Sequence, residues 1–247
     1  MTWMVDSFAP ERLAIALAIA VAAGAIRGIT GFGGALVMTP PFALMFGPWL
    51  AVPVALLLES LVALPMVLQT RRLVRWRIIA PICVAAGLTV PLGVQVLVSA
   101  DPQVLRRAIA AIVIGFSLLL LRGWRYSGPQ RIGTSVGLGA LSGVMLGATS
   151  IGAPPVIIYL LSGPDPVETT RANLTLFLVV ISVAGLVILG ARGVLDLAAA
   201  WMGLILAPAY YGGLALGVRL FPYLGDTRFR QLALLLLIAV STGILLA

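Results

Sequence analysis

The sequence predicts an all-α polytopic membrane protein made of two inverted repeats, each with a glycine-rich, broken, re-entrant helical hairpin and about three transmembrane helices. Three observations lead to this fold class: the composition, an internal repeat and the placement of the arginines. Of the 247 residues, 61% are hydrophobic and 10% are charged, and the mean hydropathy is +1.14. Apolar runs of up to about twenty residues recur along the chain, which is the length that crosses a bilayer as a helix.

The composition also excludes several classes of function. The net charge of +8 comes from arginines in the short loops between apolar runs, which indicates positive-inside topology and no nucleic-acid partner. Cys83 is the only cysteine and the chain has no histidine, so we expect no metal site, no bound cofactor and no Ser-His-Asp triad. The eight carboxylates are too scattered for a hydrolase pair, and we do not expect an enzyme.

Ten apolar runs follow one another along the chain. They are Leu13–Ile29, Ala35–Phe46, Leu50–Leu68, Ile78–Val98, Ala108–Leu121, Ile132–Ala148, Val156–Leu161, Ala172–Leu189, Leu197–Val218 and Leu232–Ala247. Between the fifth and the sixth run lies RGWRYSGPQR, a polar stretch with three arginines near the middle of the chain. This stretch is typical of a cytoplasmic linker between two halves.

The two halves resemble each other in sequence. Gly24–Gly28 matches Gly139–Gly143, and each is followed by a second small-residue cluster and then by a proline pair, Pro40–Pro41 or Pro154–Pro155. A duplicated unit of roughly 115 residues is a common way to build a secondary transporter. The predicted organisation is a first repeat at 1–122, a cytoplasmic linker at 123–131 and a second repeat at 132–247.

Arginine placement favours inverted over parallel repeats. The inverted arrangement places eleven loop arginines inside, at positions 71, 72, 75, 77, 122, 125, 131, 171, 219, 228 and 230, and four outside, at 12, 106, 107 and 192. The parallel arrangement gives nine inside and six outside. Length agrees with inversion, because a straight helix over Leu13–Phe46 would extend about 51 Å, against a bilayer core of about 30 Å. We therefore expect the first segment to fold back.

The glycine-rich stretches GITGFGG and GATSIGA are where we expect the fold-back. Glycine permits positive φ, and Pro40 and Pro41 are expected to make the following helix irregular. Helices that restart after such breaks point free N–H groups inward, which suits an anion, although close helix packing is the alternative explanation for the glycines. The predicted substrate-binding residues at the two breaks are Gly31, Phe32, Gly33, Gly34, Thr149, Ser150 and Gly152.

Two charged residues stand inside apolar runs. Arg27 precedes the first glycine cluster. It is a counter-ion for an anionic substrate, a structural ion-pair partner of Glu59, or a residue near the interface whose side chain extends to the membrane surface. Glu59 is the carboxylate most clearly within a span, and it is a candidate ion-coupling site or one half of a fixed ion pair. Asn173 in the second half is a further candidate for substrate binding, and it can equally join two helices.

Together, GAIRGITGFGGALVMTPPF, its counterpart SGVMLGATSIGAPPVIIYLL and the arginine-rich loop before Trp76 resemble the TauE/SafE sulfite-exporter family, part of the toluene-sulfonate uptake permease superfamily. The similarity extends over nearly the whole chain. It implies export or uptake of a small sulfur-containing anion such as sulfite, sulfoacetate or another organosulfonate in a bacterial inner membrane.

The function predicted from these observations is a secondary transporter of a small anion, coupled to an ion gradient. No GxxxxGK[ST] motif is present, so we expect no ATP hydrolysis by this chain. Two alternatives remain: an anion channel, in which the same helix ends line a continuous pore, and a membrane-embedded subunit with a structural role only. The expected partners are the anion and the lipid bilayer, and the sequence leaves the oligomeric state open.

Overall fold

The computed structural model describes residues 9–124, 126–128 and 130–224, together with 234, 235, 238, 239, 241–243 and 245. These residues form α-helices and short connections, with no strand among them. The first half contains α1 (Pro10–Thr30), α2 (Gly34–Phe46), α3 (Pro48–Thr70), α4 (Trp76–Ser99) and α5 (Pro102–Leu121), with a 3-10 turn at Arg71–Leu73. The second contains α6 (Ile132–Thr149), α7 (Ala153–Leu161), α8 (Val167–Ala191) and α9 (Leu197–Leu224).

These helices correspond to the predicted apolar runs with shifted ends. Within the described part of the chain, six segments are long and apolar enough to cross a membrane: Pro10–Thr30, Trp76–Ser99, Pro102–Leu121, Ile132–Thr149, Glu168–Ala191 and Leu197–Leu220. The helix α2 and the stretch Pro48–Leu64 of α3 are shorter apolar segments. Half of the predicted run Leu232–Ala247 lies outside the described residues.

The break between α1 and α2 occurs at the predicted glycines. Gly31 ends α1 with φ 80°, and Gly33 precedes α2 with φ 93°, a backbone conformation that glycine adopts without a Cβ penalty. The expectation for the proline pair is wrong, since α2 is helical through Pro40 and Pro41. The second break differs, because Pro154 and its neighbour lie in the first turn of α7, where their missing N–H groups are not needed.

Glycine contacts fix the directions of two tightly packed helix pairs. Gly24 of α1 lies against the backbone of Tyr210 and Leu214 of α9, and Gly28 lies against Leu214 and Val218. Residue numbers rise together along the contact, so α1 and α9 are parallel.

The pair α4 and α6 is packed in the same way. Gly139 of α6 lies against Ile82 of α4, and Gly147 lies against Val90. Because these numbers also rise together, α4 and α6 are parallel.

The helices α3 and α8 connect the two pairs. Gly203 of α9 lies against Leu57 of α3, and Tyr211 Oη donates a hydrogen bond to the Leu61 carbonyl oxygen at 2.5 Å, so α3 runs parallel to α9.

At the start of α4, the Arg75 N–H donates to Asn173 Oδ1 near the start of α8 at 2.9 Å. At the far ends of the same two helices, Arg192 Nη1 donates to Gln95 Oε1 at 2.7 Å, so α8 is parallel to α4. Since α4 returns from the end of α3, α1, α3 and α9 run in one direction, and α4, α6 and α8 run in the other.

Three connections meet at one end of the molecule. Arg75 forms an ion pair with Asp165 in the connection between α7 and α8. The Tyr126 N–H donates to Ser162 Oγ at 2.8 Å, and Gln130 Nε2 donates to the carbonyl oxygen of α7 residue Tyr159 at 3.3 Å. The connection after α3, the linker and the connection after α7 are therefore on the same face.

Candidate functional site

Both helix breaks contribute to one cavity, which is partly open. Gly33, Ala35 and Leu36 line it from the first break, and Ser150, Ile151, Ala153 and Pro154 line it from the second, together with Glu59, Leu146, Leu178 and Ser182. Its free space is sufficient for about one water molecule. The walls are mainly apolar, and Glu59 is the charged residue among those that line it.

Glu59 lies at the middle of α3, and its carboxylate caps the start of α2. The Ala35 N–H donates to Glu59 Oε1 at 2.9 Å, and the Tyr210 hydroxyl of α9 donates to the same oxygen at 2.9 Å. Glu59 is 3% exposed and Tyr210 is fully buried. A carboxylate suits this place because the first N–H groups of a helix have no partner within it and carry partial positive charge. The anion site predicted at the restarting helix therefore contains an anion supplied by the chain itself.

Arg27 of α1 is the cation beside this carboxylate. Its Nη1 lies 3.4 Å from Glu59 Oε2, and its side chain is 1% exposed. Within the described residues, Arg27 Nε, Nη1 and Nη2 and Glu59 Oε2 have no hydrogen-bond partner. A well-formed arginine–carboxylate pair has N–O distances of about 2.7–2.9 Å and is often bidentate. The Arg27–Glu59 pair is therefore an ionic contact with unused hydrogen-bonding capacity on both sides.

Gly34 allows these groups to come together. A Cβ at Gly34 would overlap the Tyr210 hydroxyl and Glu59 Oε1, so a residue with a side chain would displace the carboxylate from the start of α2. Glycine is needed at this position because Glu59 and Tyr210 approach the backbone closely, and not because of an unusual backbone conformation.

The second break has hydroxyl groups and no charge. Ser150 ends α6 in the left-handed conformation with φ 59°, which is unusual for a residue other than glycine. Its Oγ lies 2.8 Å from Thr39 Oγ1 of α2, and both side chains are buried. Thr149 Oγ1 accepts a hydrogen bond from the Ile151 N–H at 3.2 Å. The second break thus contacts α2 through a hydroxyl pair.

Comparison with known families gives a match over most of the chain. The family model for the sulfite exporter TauE/SafE matches residues 16–244. The chain belongs to the TauE/SafE family. It is therefore a multi-pass membrane protein of a transporter family, in agreement with the six long apolar helices found among the described residues. No curated protein and no solved structure gives a significant match.

The predicted site residues of this TauE/SafE protein differ in how they are placed relative to the cavity. Gly33, Ser150 and Glu59 line the cavity. Arg27 contacts the cavity wall through its ion pair. The remaining residues of the breaks, which do not themselves line the cavity, are Gly31, Phe32, Gly34, Thr149 and Gly152.

Asn173 occupies a different part of the TauE/SafE chain. It is fully buried near the start of α8, where its Oδ1 accepts the Arg75 N–H at 2.9 Å. It is not among the residues that line the cavity. Its hydrogen bond joins α8 to the connection before α4.

Sequence reasoning missed three polar groups of the site. Tyr210, Thr39 and Ser182 were not among the predicted site residues, yet each contacts or lines the site. The signal for Tyr210 was present, because a tyrosine hydroxyl inside a membrane span requires a partner. A single Ser or Thr in an apolar helix gives a much weaker signal, because it often bonds to its own backbone.

Proposed function

We propose that this TauE/SafE protein is a secondary transporter of a small sulfur-containing anion, such as sulfite, sulfoacetate or an organosulfonate, in a bacterial inner membrane. We further propose that transport is coupled to an ion gradient through Glu59. The observation that carries the proposal is the convergence of both helix breaks and Glu59, the ion-pair partner of Arg27, on one cavity.

The chemistry of Arg27 supports an anionic substrate. A guanidinium group presents a planar fork of N–H donors that matches two oxygens of a sulfite or sulfonate group. Arg27 is 2% exposed, and a buried cation in a membrane protein is costly unless it serves a partner or a substrate. Its guanidinium nitrogens have no hydrogen-bond partner among the described residues, which leaves donors for substrate oxygens.

Helix direction supports two inverted repeats. In the sequence alignment of the halves, α1 corresponds to α6, α3 to α8 and α4 to α9. Each member of these pairs runs opposite to the other. A parallel arrangement would place Arg75 and Asp165 on opposite membrane faces, whereas these residues form an ion pair. Inverted repeats with broken helices at their interface are typical of transporters that alternate access to a central site.

The size of the cavity favours a carrier over a channel. The space between the breaks accommodates about one water molecule, so a sulfonate group requires the two hairpins to move apart. A carrier whose binding site widens as it alternates access has this property, whereas a conducting channel requires a continuous hydrated path.

The test is flux through the purified protein in proteoliposomes. We expect saturable uptake of radiolabelled sulfite or sulfoacetate above that of protein-free vesicles, with inhibition by the unlabelled anion. A thermal-shift series with sulfite, thiosulfate, sulfoacetate, taurine and acetate identifies the preferred ligand, because a ligand that binds only the folded state raises its apparent stability. Ohmic currents in a planar bilayer would instead indicate a channel, and no flux of any of these anions would indicate a structural subunit.

A further inference from the structure

From the geometry around Glu59, we infer that this carboxylate is a resident anion in the substrate site, and that a monovalent oxyanion replaces it on Arg27 only when Glu59 takes up one proton. The inference rests on the proposed transport function and makes it more specific. It predicts that one proton and one monovalent anion cross the membrane together in the same direction.

The two oxygens of Glu59 are in different environments. Oε1 accepts hydrogen bonds from the Ala35 N–H and the Tyr210 hydroxyl. Oε2 has no hydrogen-bond donor among the described residues and faces Arg27 Nη1 at 3.4 Å. A proton added to Glu59 therefore belongs on Oε2, where it leaves both hydrogen bonds to Oε1 in place.

Protonation changes what the site can bind. As a carboxylate, Glu59 neutralises Arg27 and repels a second anion. As a neutral acid, it no longer neutralises Arg27, and its Oε2–H becomes a donor. The donors then available to an anion are the Arg27 guanidinium and the Glu59 hydroxyl, next to the first turn of α2. In this step a hydronium ion from the bulk water gives up one proton: its O–H bond breaks, the Glu59 Oε2–H bond forms, and one water molecule is left.

Charge conservation in the buried site sets the stoichiometry. The resting pair Arg27–Glu59 has a net charge of zero, and both side chains are almost completely buried. An anion that entered alone would leave one uncompensated negative charge in a low-dielectric interior, which is strongly unfavourable. An anion with one negative charge and one proton restores a net charge of zero. Monovalent sulfonates therefore fit the site better than dianions.

Among the described residues, no other charged side chain is placed to compensate the anion. The helices α2 and α6, which supply the two breaks, carry no charged residue. The charged residues of α8 are at positions 168 and 171, in its first turns. The helix α9 supplies the Tyr210 hydroxyl to Glu59, and its charged residue is Arg219.

The helices α4 and α5 carry their charges near their starts. The charged residue of α4 is Arg77 in the first turn, and Cys83 is its other titratable side chain. The helix α5 has Arg106 and Arg107 near its start. Arg27 and Tyr210 are thus the titratable side chains that the described residues place against Glu59.

The experiment uses methanesulfonate, because it keeps a single negative charge at every pH at which the protein is stable. Wild-type protein in proteoliposomes is expected to accumulate radiolabelled methanesulfonate about tenfold for each pH unit of acid-outside gradient, as one-proton linkage requires. A trapped pH dye should report one proton per anion. A potassium diffusion potential set with valinomycin should leave the initial rate unchanged, because the coupled movement carries no net charge.

The affinity for methanesulfonate, measured by binding, is a second test that does not require transport. The apparent affinity of the wild-type protein for methanesulfonate should fall about tenfold for each unit of rising pH while Glu59 is ionised in the free protein. In a Glu59→Gln protein the amide imitates the neutral acid, and the affinity should no longer change with pH. Glu168→Gln is the matched control, because this carboxylate is exposed in the first turn of α8. The affinity of the Glu168→Gln protein for methanesulfonate should depend on pH as that of the wild type does.

A measurement on the wild-type protein covers the case in which Glu59→Gln does not fold. Addition of methanesulfonate should produce the C=O stretch of a protonated carboxylic acid in the infrared difference spectrum. Anion accumulation that follows the membrane potential and ignores the pH gradient would overturn the inference, as would transport of sulfoacetate without transport of methanesulfonate. Absence of flux for sulfite, sulfoacetate and methanesulfonate together would overturn the proposed function itself.

Discussion

At the scale of single residues, Glu59 is held by groups from three helices. Arg27 of α1, the Ala35 N–H of α2 and the Tyr210 hydroxyl of α9 all contact its carboxylate. Removal of one partner from a buried ion pair costs about 3–5 kcal/mol, whereas removal of both partners is often nearly neutral. Substitutions at this site therefore affect stability as well as transport, and each needs a matched control.

Tyr210→Phe removes one of the two hydrogen bonds to Glu59 Oε1 without changing the shape of the side chain. We expect it to lower the free energy of unfolding by about 1.5–3 kcal/mol, the range for a hydrogen bond to a charged group. We also expect slower anion transport, because the carboxylate loses a contact that orients it. Unfolding in detergent and flux in proteoliposomes measure the two effects.

The neighbouring Tyr211→Phe is the control for Tyr210→Phe. Tyr211 donates to the backbone carbonyl of Leu61 and is 40% exposed, so its hydrogen bond is neutral and lies at the surface. We expect a stability loss of about 0.5–1.5 kcal/mol and an unchanged transport rate. Equal loss of transport in both variants would contradict a specific role for Tyr210.

At the scale of helices, the break between α1 and α2 brings the start of α2 to the middle of α3. Gly34→Ala tests this contact, since its Cβ would overlap Glu59 and Tyr210. Overlap in a packed interior costs about 1–3 kcal/mol, and we expect strongly reduced transport. Gly87→Ala on α4 is the control, because a Cβ there meets no atom within 4 Å among the described residues. Wild-type transport by Gly34→Ala would show that the close contact is not required.

The sequence predicted these helices better than the contacts of their side chains. Apolar runs and glycine clusters gave the nine described helices and the first break, because both signals are local. The continuity of α2 through Pro40 and Pro41 was not predicted, since it depends on the packing around α2. The ion pair of Arg27 with Glu59 was one of three interpretations of Arg27 that the sequence left open. Tyr210 is 151 residues from Glu59, and no local pattern connects them.

At the scale of the whole molecule, the helix directions predict which connections share a membrane face. In a Cys83→Ser background, we expect Ser127→Cys and Pro164→Cys to react with a membrane-impermeant maleimide only after cells are permeabilised. Ser99→Cys and Arg192→Cys should react in intact cells. All four positions are exposed in the structure, so accessibility depends on the membrane face. Reaction of Pro164→Cys and Ser99→Cys together from one side would favour parallel repeats.

The central claim is that the buried Arg27 binds the transported anion, and variants of Arg27 test it most directly. The measurement is the initial rate of radiolabelled sulfite uptake at one fixed pH in proteoliposomes. The double variant Arg27→Met/Glu59→Gln avoids an unpaired buried charge, and Arg12→Met is the control because Arg12 lies exposed on the same helix.

We expect uptake by the folded double variant to fall to the level of protein-free vesicles, and Arg12→Met to transport at the wild-type rate. Arg27→Lys should be about tenfold slower than wild type, because a point charge cannot reproduce bidentate contacts and a tenfold change corresponds to about 1.4 kcal/mol. Wild-type uptake by the folded double variant would contradict the claim and make Arg27 a structural partner of Glu59.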